Sequence, residues 1–356
     1  MLGTVLIQVP RARSAPQAKS APTVSAAMIG PLLSPDIESA LAQGALGPRK
    51  SAGVVIGVTR HGATRVFAFG AAKPDSIFEI GSITKTFTGL LLAQMIVRRK
   101  VTLTEPVRKL LPEGLVSAPD GPEISLADLI THHSGLPRMP DNFPPSNWTS
   151  ARQRYTIHDL YAYIARRGVS RPSHPAYVYS NVGVGLLGQA LANRAHTSYA
   201  NLLAGEITGP LHMRDTQIEL SVAQQRRVIA GWPEGAWHAG ALAGAGDLRS
   251  TAGDMLLYLQ ANLTPRRLAS GMGEPMQAQT LPSAIELSQK ILAPAVWHCR
   301  GLKRVMGIEP IGFTNASAPH YRASRGLDRT YRVANGPPFA RSRARGSRKN
   351  REPAVF

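Results

Sequence analysis

The sequence predicts an α/β body combined with an all-α region, and three observations carry that expectation. Two short apolar, β-rich runs stand close together on either side of residue 61. A long middle stretch mixes helical patterns with Pro/Gly-rich loops. Further elements follow it, so the helical stretch reads as an insertion in an α/β arrangement.

Residues 1 to about 34 are rich in Ala, Pro, Ser and basic side chains and read as a leader or disordered lead-in. Met1–Pro10 is apolar but short, with no basic residue before it, so it is a weak or truncated secretory signal. A helix is expected from Pro35, with Ser34 as N-cap and Asp36 and Glu38 in its first turn. Ala52–Val58 (AGVVIGV) and Thr64–Gly70 (TRVFAFG) read as strands, and His61-Gly62 between them as the turn of a hairpin. After Phe78-Glu79-Ile80-Gly81, a helical pattern runs from Ser82 to about Arg99. Its apolar Phe87, Leu90, Leu91 and Met95 recur at three and four residues, the spacing of a buried face. The stretch from Thr102 to Tyr199 mixes helices with Pro/Gly-rich loops such as Pro137–Pro145. Gly240–Gly246 reads as a glycine-rich turn, and Ser250–Leu263 as a helix capped by Thr251 or Ser250. Beyond about Ala295 the periodicity fails, and Arg322–Arg351 reads as disordered. The expected domains are therefore 1–34, 35–298 and 299–356.

Composition narrows the classes. With 356 residues and 43% hydrophobic content, the chain is neither wholly disordered nor a multi-span membrane protein, and no 18-residue apolar run exists. The net charge is +19, and residues 300–356, with 13 basic against 3 acidic residues, carry +10 of it. Arg341, Arg343, Arg345, Arg348, Lys349 and Arg351 could contact phosphates, but no reading motif or interleaved aromatics accompany them. Nucleic acid is therefore not an expected partner. The one cysteine, Cys299, excludes an internal disulfide framework and reads as an incidental thiol.

Ser82-Ile83-Thr84-Lys85 places a hydroxyl and an amine three residues apart at the start of a predicted helix, on one face. A desolvated, neutral lysine could take the serine proton and make it a nucleophile. The helix N-terminus would favour an anion beside it. The bland alternative is an N-cap serine with a solvated lysine. Tyr179-Ser180-Asn181 follows 97 residues later, ahead of the small-residue helix Val182–Ala192. The tyrosine could relay a proton and the amide could orient a carbonyl or the lysine. A core tyrosine and a turn asparagine are the alternative.

Read with their flanks, these segments resemble the serine β-lactamase and penicillin-binding protein superfamily, closest to class C β-lactamases and their esterase and D,D-peptidase relatives. Phe78–Gly89 (FEIGSITKTFTG) is similar to the nucleophile segment. Leu129–Pro137 (LITHHSGLP) resembles L-x-T-H-x-S-G-L, and Tyr177–Gly183 (YVYSNVG) resembles the Y-S-N motif. Gly246–Met255 (GDLRSTAGDM) resembles G-x-L-x-S-T-x-x-D-M. The four segments lie in the family's order and cover roughly residues 35 to 298. The resemblance implies an antiparallel sheet flanked by helices, with an all-α lobe over about residues 90 to 240. It implies Ser82 as acylated nucleophile, Lys85 as its base, Tyr179 as proton shuttle and Asn181 as the contact to the substrate's side-chain amide. The Ser82 backbone N–H would be one oxyanion donor.

It also implies a β-lactam, peptidoglycan-peptide or ester substrate, a periplasmic or secreted location (the weak signal and the single cysteine leave a cytoplasmic one open), a monomer, and no cofactor. His132 and His133 lack companions with metal-ligand spacing and by family position pack behind the site, so no metal is expected. The family's third motif, Lys-Thr-Gly or His-x-Gly, is not found between Asp254 and Phe356. Ala293–His298 (APAVWH) resembles the strand before it, and the likeness then stops, as a frameshift, a fusion or a mis-called gene end would produce. C-terminal strands are then missing from the sheet. The alternative to an active hydrolase is a catalytically impaired penicillin- or peptidoglycan-binding remnant.

Overall fold

The computed structural model describes residues 26–45, 51–60, 62–143, 155–229, 240–269 and 276–290. Helix α1 (Ala26–Ala42) leads to strands β1 (Gly53–Arg60), β2 (Ala63–Gly70) and β3 (Ile77–Glu79). A 3₁₀ turn, Gly81–Ile83, opens α2 (Thr84–Val97). The helical lobe follows with α3 (Leu126–Ile130), α4 (Ile157–Arg167), α5 (Asn181–Arg194), α6 (Tyr199–Leu203) and α7 (Val222–Gln225). Strand β4 (Arg249–Thr251) returns the chain to the first elements, before α8 (Ala252–Leu263), α9 (Pro265–Ala269) and α10 (Met276–Ser288).

The expected hairpin forms: β1 and β2 pair antiparallel, from Gly53 opposite Gly70 to Arg60 opposite Ala63. Helices flank it. A side chain at Gly70 would meet Leu41 of α1, and one at Gly57 would meet Leu256 of α8. Gln260 of α8 also donates to Thr59 Oγ1 at 3.1 Å. A second antiparallel pair, β3 with β4, sets Phe78 opposite Ser250. It draws the Gly246–Leu248 segment beside α2, where the Ile80 N–H donates to the Leu248 carbonyl at 3.0 Å.

Two expectations need correction. Helix α1 starts at Ala26, not at the Ser34 cap, so part of the expected lead-in is helical. The segment opens with two alanines, the strongest helix formers, and the helix runs through Pro31 and Pro35 although each removes a hydrogen bond. Gly240–Ala245 is a buried 3₁₀ segment packed on α5, not a surface turn. Its glycines permit close approach: a Cβ on Gly240 (φ 55) would stand 2.1 Å from the Tyr155 carbonyl oxygen. At the start of α8, Thr251 is the cap, accepting from the Asp254 N–H, while Ser250 belongs to β4.

Helix α2 is buried from Thr84 to Met95 and forms the axis around which the lobe and the β elements meet. Helix α5 packs on it and on the Gly240–Ala245 segment. No described helix is long and apolar enough to cross a membrane. The expected tail, 299–356, and the expected boundary at 298 lie outside the described residues.

Candidate active site

Three segments converge at the N-terminal end of α2. The 3₁₀ turn places Ser82 at the surface, and the first turn of α2 carries Lys85 inward, where it is 2% exposed. The start of α5 supplies the second segment. Ser180 caps that helix by accepting the Gly183 N–H at 2.8 Å and anchors it by donating to the Pro137 carbonyl at 2.7 Å. Tyr179 and Asn181, on either side of the cap, are thereby held toward α2. The third segment is the glycine-rich one, which ends with the Ala245 carbonyl aimed at Lys85.

All four residues singled out from the sequence are brought together. Ser82 Oγ and the Tyr179 hydroxyl are 2.6 Å apart. Lys85 Nζ donates to Ser82 Oγ at 3.1 Å, to Asn181 Oδ1 at 2.8 Å and to the Ala245 carbonyl at 2.6 Å. An ammonium has three protons, and here each has an acceptor. Burial, with the nearby Arg138 charge adding to it, lowers the Lys85 amine from its ordinary value to about 7. At neutral pH a substantial fraction of the amine is therefore unprotonated, with its lone pair available to the serine hydroxyl proton. The sequence alternative of a solvated lysine is ruled out by that burial.

Several further contributors surround these four residues. His132 grips the Tyr179 segment in three ways. Its carbonyl accepts the Val178 N–H at 2.9 Å, its Nδ1 accepts the Ser180 N–H at 3.1 Å, and its ring lies 4.7 Å from that of Tyr179. Burial first, then the Lys85 and His133 charges, push its pKa down to about 4, so the ring is neutral and Nδ1 can accept. The Arg138 carbonyl accepts the Asn181 N–H at 2.9 Å, and its guanidinium carbon lies 5.9 Å from the Tyr179 ring centre. Asn181 Nδ2 points at a weak acceptor, Met139 Sδ, at 3.4 Å. A carbonyl position and a thioether cannot be picked out from residue type. The paired histidines could have suggested a grip on the neighbouring segment.

A profile of the family described as Beta-lactamase matches residues 39–307. The D-alanyl-D-alanine-carboxypeptidase/endopeptidase AmpH of Escherichia coli (strain K12) is 33% identical over 223 residues, 58% of this chain and 56% of that protein. A protein named Beta-lactamase from the same organism is 28% identical over 255 residues, 68% of this chain and 62% of its own. The chain thus spans little more than half the length of these curated relatives. Among solved structures, a class C beta lactamase from Rhodobacter sphaeroides aligns with a TM-score of 0.54 at 28% identity, covering 70% of this chain and 68% of that one. A beta-lactamase/D-alanine carboxypeptidase from Yersinia pestis aligns with a TM-score of 0.55 at 26% identity, covering 72% and 74%.

Proposed function

Because this chain belongs to the Beta-lactamase family and has the β-lactamase/transpeptidase-like fold of its solved neighbours, we propose that it is a serine hydrolase working through an acyl-enzyme on Ser82. Its substrates are β-lactams or the related D-alanyl-D-alanine amides and esters. One observation carries the reading: a surface serine hydroxyl is in hydrogen-bond contact at once with a tyrosine hydroxyl, at 2.6 Å, and a buried amine with lowered pKa, at 3.1 Å.

In the first half-reaction, neutral Lys85 accepts the Ser82 proton while Oγ attacks the substrate carbonyl carbon. The proton passes through Tyr179 to the leaving nitrogen, the C–N bond breaks, and the acyl group stays on Oγ. In the second half, the same pair takes a proton from water as the water oxygen attacks the ester carbon, and the pair then gives that proton to Ser82 Oγ as the C–Oγ bond breaks and the acid leaves. Asn181 holds Lys85 through Oδ1. Its Nδ2, resting against sulfur, is free to turn to a substrate carbonyl, a better acceptor. Each step uses residues of one chain, so the monomer suffices, and the substrates place the reaction in the periplasm or outside the cell.

A second reading, a binding protein that acylates but releases slowly, is favoured by the lack of a Lys-Thr-Gly or His-x-Gly triplet between Asp254 and Phe356. Loss of one oxyanion donor slows turnover by roughly 100- to 1000-fold. One experiment separates the readings. A fluorescent penicillin is expected to label the protein at Ser82 and not the Ser82→Ala variant, and a chase then times the loss of label. Rapid loss supports the hydrolase and persistence the binding protein. Labelling that survives Ser82→Ala ends the nucleophile assignment.

A further inference from the structure

Among the charged groups at this site, one has no assigned task. Lys85 has its donors filled and titrates near neutrality, so it is not a lasting cation in the working state. Arg138 is one, since a guanidinium stays charged at any working pH. It is exposed at the site mouth, and among the described residues no carboxylate pairs with it. The acid closest to it in sequence, Asp141, is paired with Arg166, and Asp128 faces Arg171 at 3.5 Å. The backbone of Arg138 is fixed, because its carbonyl holds the N–H groups of Asn181 and Val182 at 2.9 and 3.4 Å. The side chain therefore rises from a rigid base on the Asn181 flank of Ser82, with its guanidinium carbon 5.9 Å from the Tyr179 ring centre. That flank is the one on which Asn181 Nδ2 is available to an amide of the acyl portion.

We propose that Arg138 is a specificity-determining residue that recognises a carboxylate on the acyl portion of the substrate. The inference rests on the acyl-enzyme reading above and adds a substrate class to it: acyl groups bearing a free anion, such as a side-chain carboxylate on a peptide or a carboxylated β-lactam side chain. Guanidinium and carboxylate match as a two-point, charge-assisted pair, while a neutral acyl group gains nothing there. Arg138 also acts on Lys85 through its charge, so replacing it changes the acylation of every substrate. A ratio of two substrates cancels that shared effect.

The test compares carbenicillin with benzylpenicillin, which differ by one carboxylate on the acyl side chain. Second-order acylation of Ser82 is followed by intact-protein mass. The wild-type ratio, carbenicillin over benzylpenicillin, is expected to fall about 10-fold in Arg138→Gln, the scale of a hydrogen bond to a charged partner. Arg138→Lys should retain part of it. If both compounds acylate the wild type and the ratio is unchanged in Arg138→Gln, the carboxylate recognition is wrong and the hydrolase reading stands. If neither compound modifies Ser82 nor is hydrolysed by the wild type, the acyl-enzyme reading fails and takes this inference with it.

Discussion

Helices α2 and α4 are opposite kinds of helix. Helix α4 is specified by its own residues. Thr156 and Asp159 form a capping box, Arg166 and Arg167 complete the last turn, and Gly168 closes it with φ 72. It buries Leu160, Tyr163 and Ile164 and shows its charged face to water. Helix α2 has no side-chain cap, no acid in its first turn and no base in its last, yet it is buried along most of its length. Its surroundings hold it. The difference bears on where Lys85 sits: a helix enclosed by its neighbours can take an amine out of water and lower its pKa, and such a helix draws its stability from those neighbours.

The comparison is tested most severely at Lys85. Lys85→Met keeps the packing and is expected to slow acylation by a factor on the order of 100 or more. In the wild type the amine loses its proton near pH 7, so acylation should rise through that pH and fall away below it. A flat profile from pH 5 to 9 would remove Lys85 as the base. The second break is at the contact that supports α2 from behind. A Cβ on Gly185 of α5 would lie 2.6 Å from Leu242 Cδ2 and 2.8 Å from its Cα. Gly185→Ala should therefore cost about 1–3 kcal/mol in urea unfolding, the usual range for overpacking. A loss no larger than experimental error would show that the glycine-rich segment yields. The smallest effect sharpens the contrast: Thr156→Ala should cost about 1 kcal/mol through the lost cap of α4 and leave acylation by benzylpenicillin unchanged.

The sequence was readable wherever a residue type carries its own meaning. Ser82, Lys85, Tyr179 and Asn181 are chemically distinct, lie in motifs with family spacing, and meet in space. The hairpin was legible because its β-branched runs are short and close together. Other features depend on approach in three dimensions. Gly240–Ala245 looked like a turn because glycine marks turns, but Gly240 allows the backbone to press against Tyr155 and Gly244 against Gly188 of α5. The Ala245 carbonyl that completes the Lys85 site has no signature, since every residue has a carbonyl. Arg138 looks like any surface arginine until its neighbours are known.

The threonines of α2 have one more consequence. Thr84 accepts the Leu248 N–H at 3.2 Å, Thr86 accepts the Tyr258 hydroxyl at 3.1 Å, and Thr88 donates to the Gly244 carbonyl at 2.7 Å. Residues two apart on a helix are turned by about 200°, so Thr84 and Thr88 face one side and Thr86 nearly the opposite one. The helix is thereby keyed like a shaft in a slotted collar. A rotation by one residue, about 100°, would disengage all three hydroxyls together. The aim of Ser82 and Lys85 is thus an angular setting, fixed further along the same rod by groups that never meet a substrate.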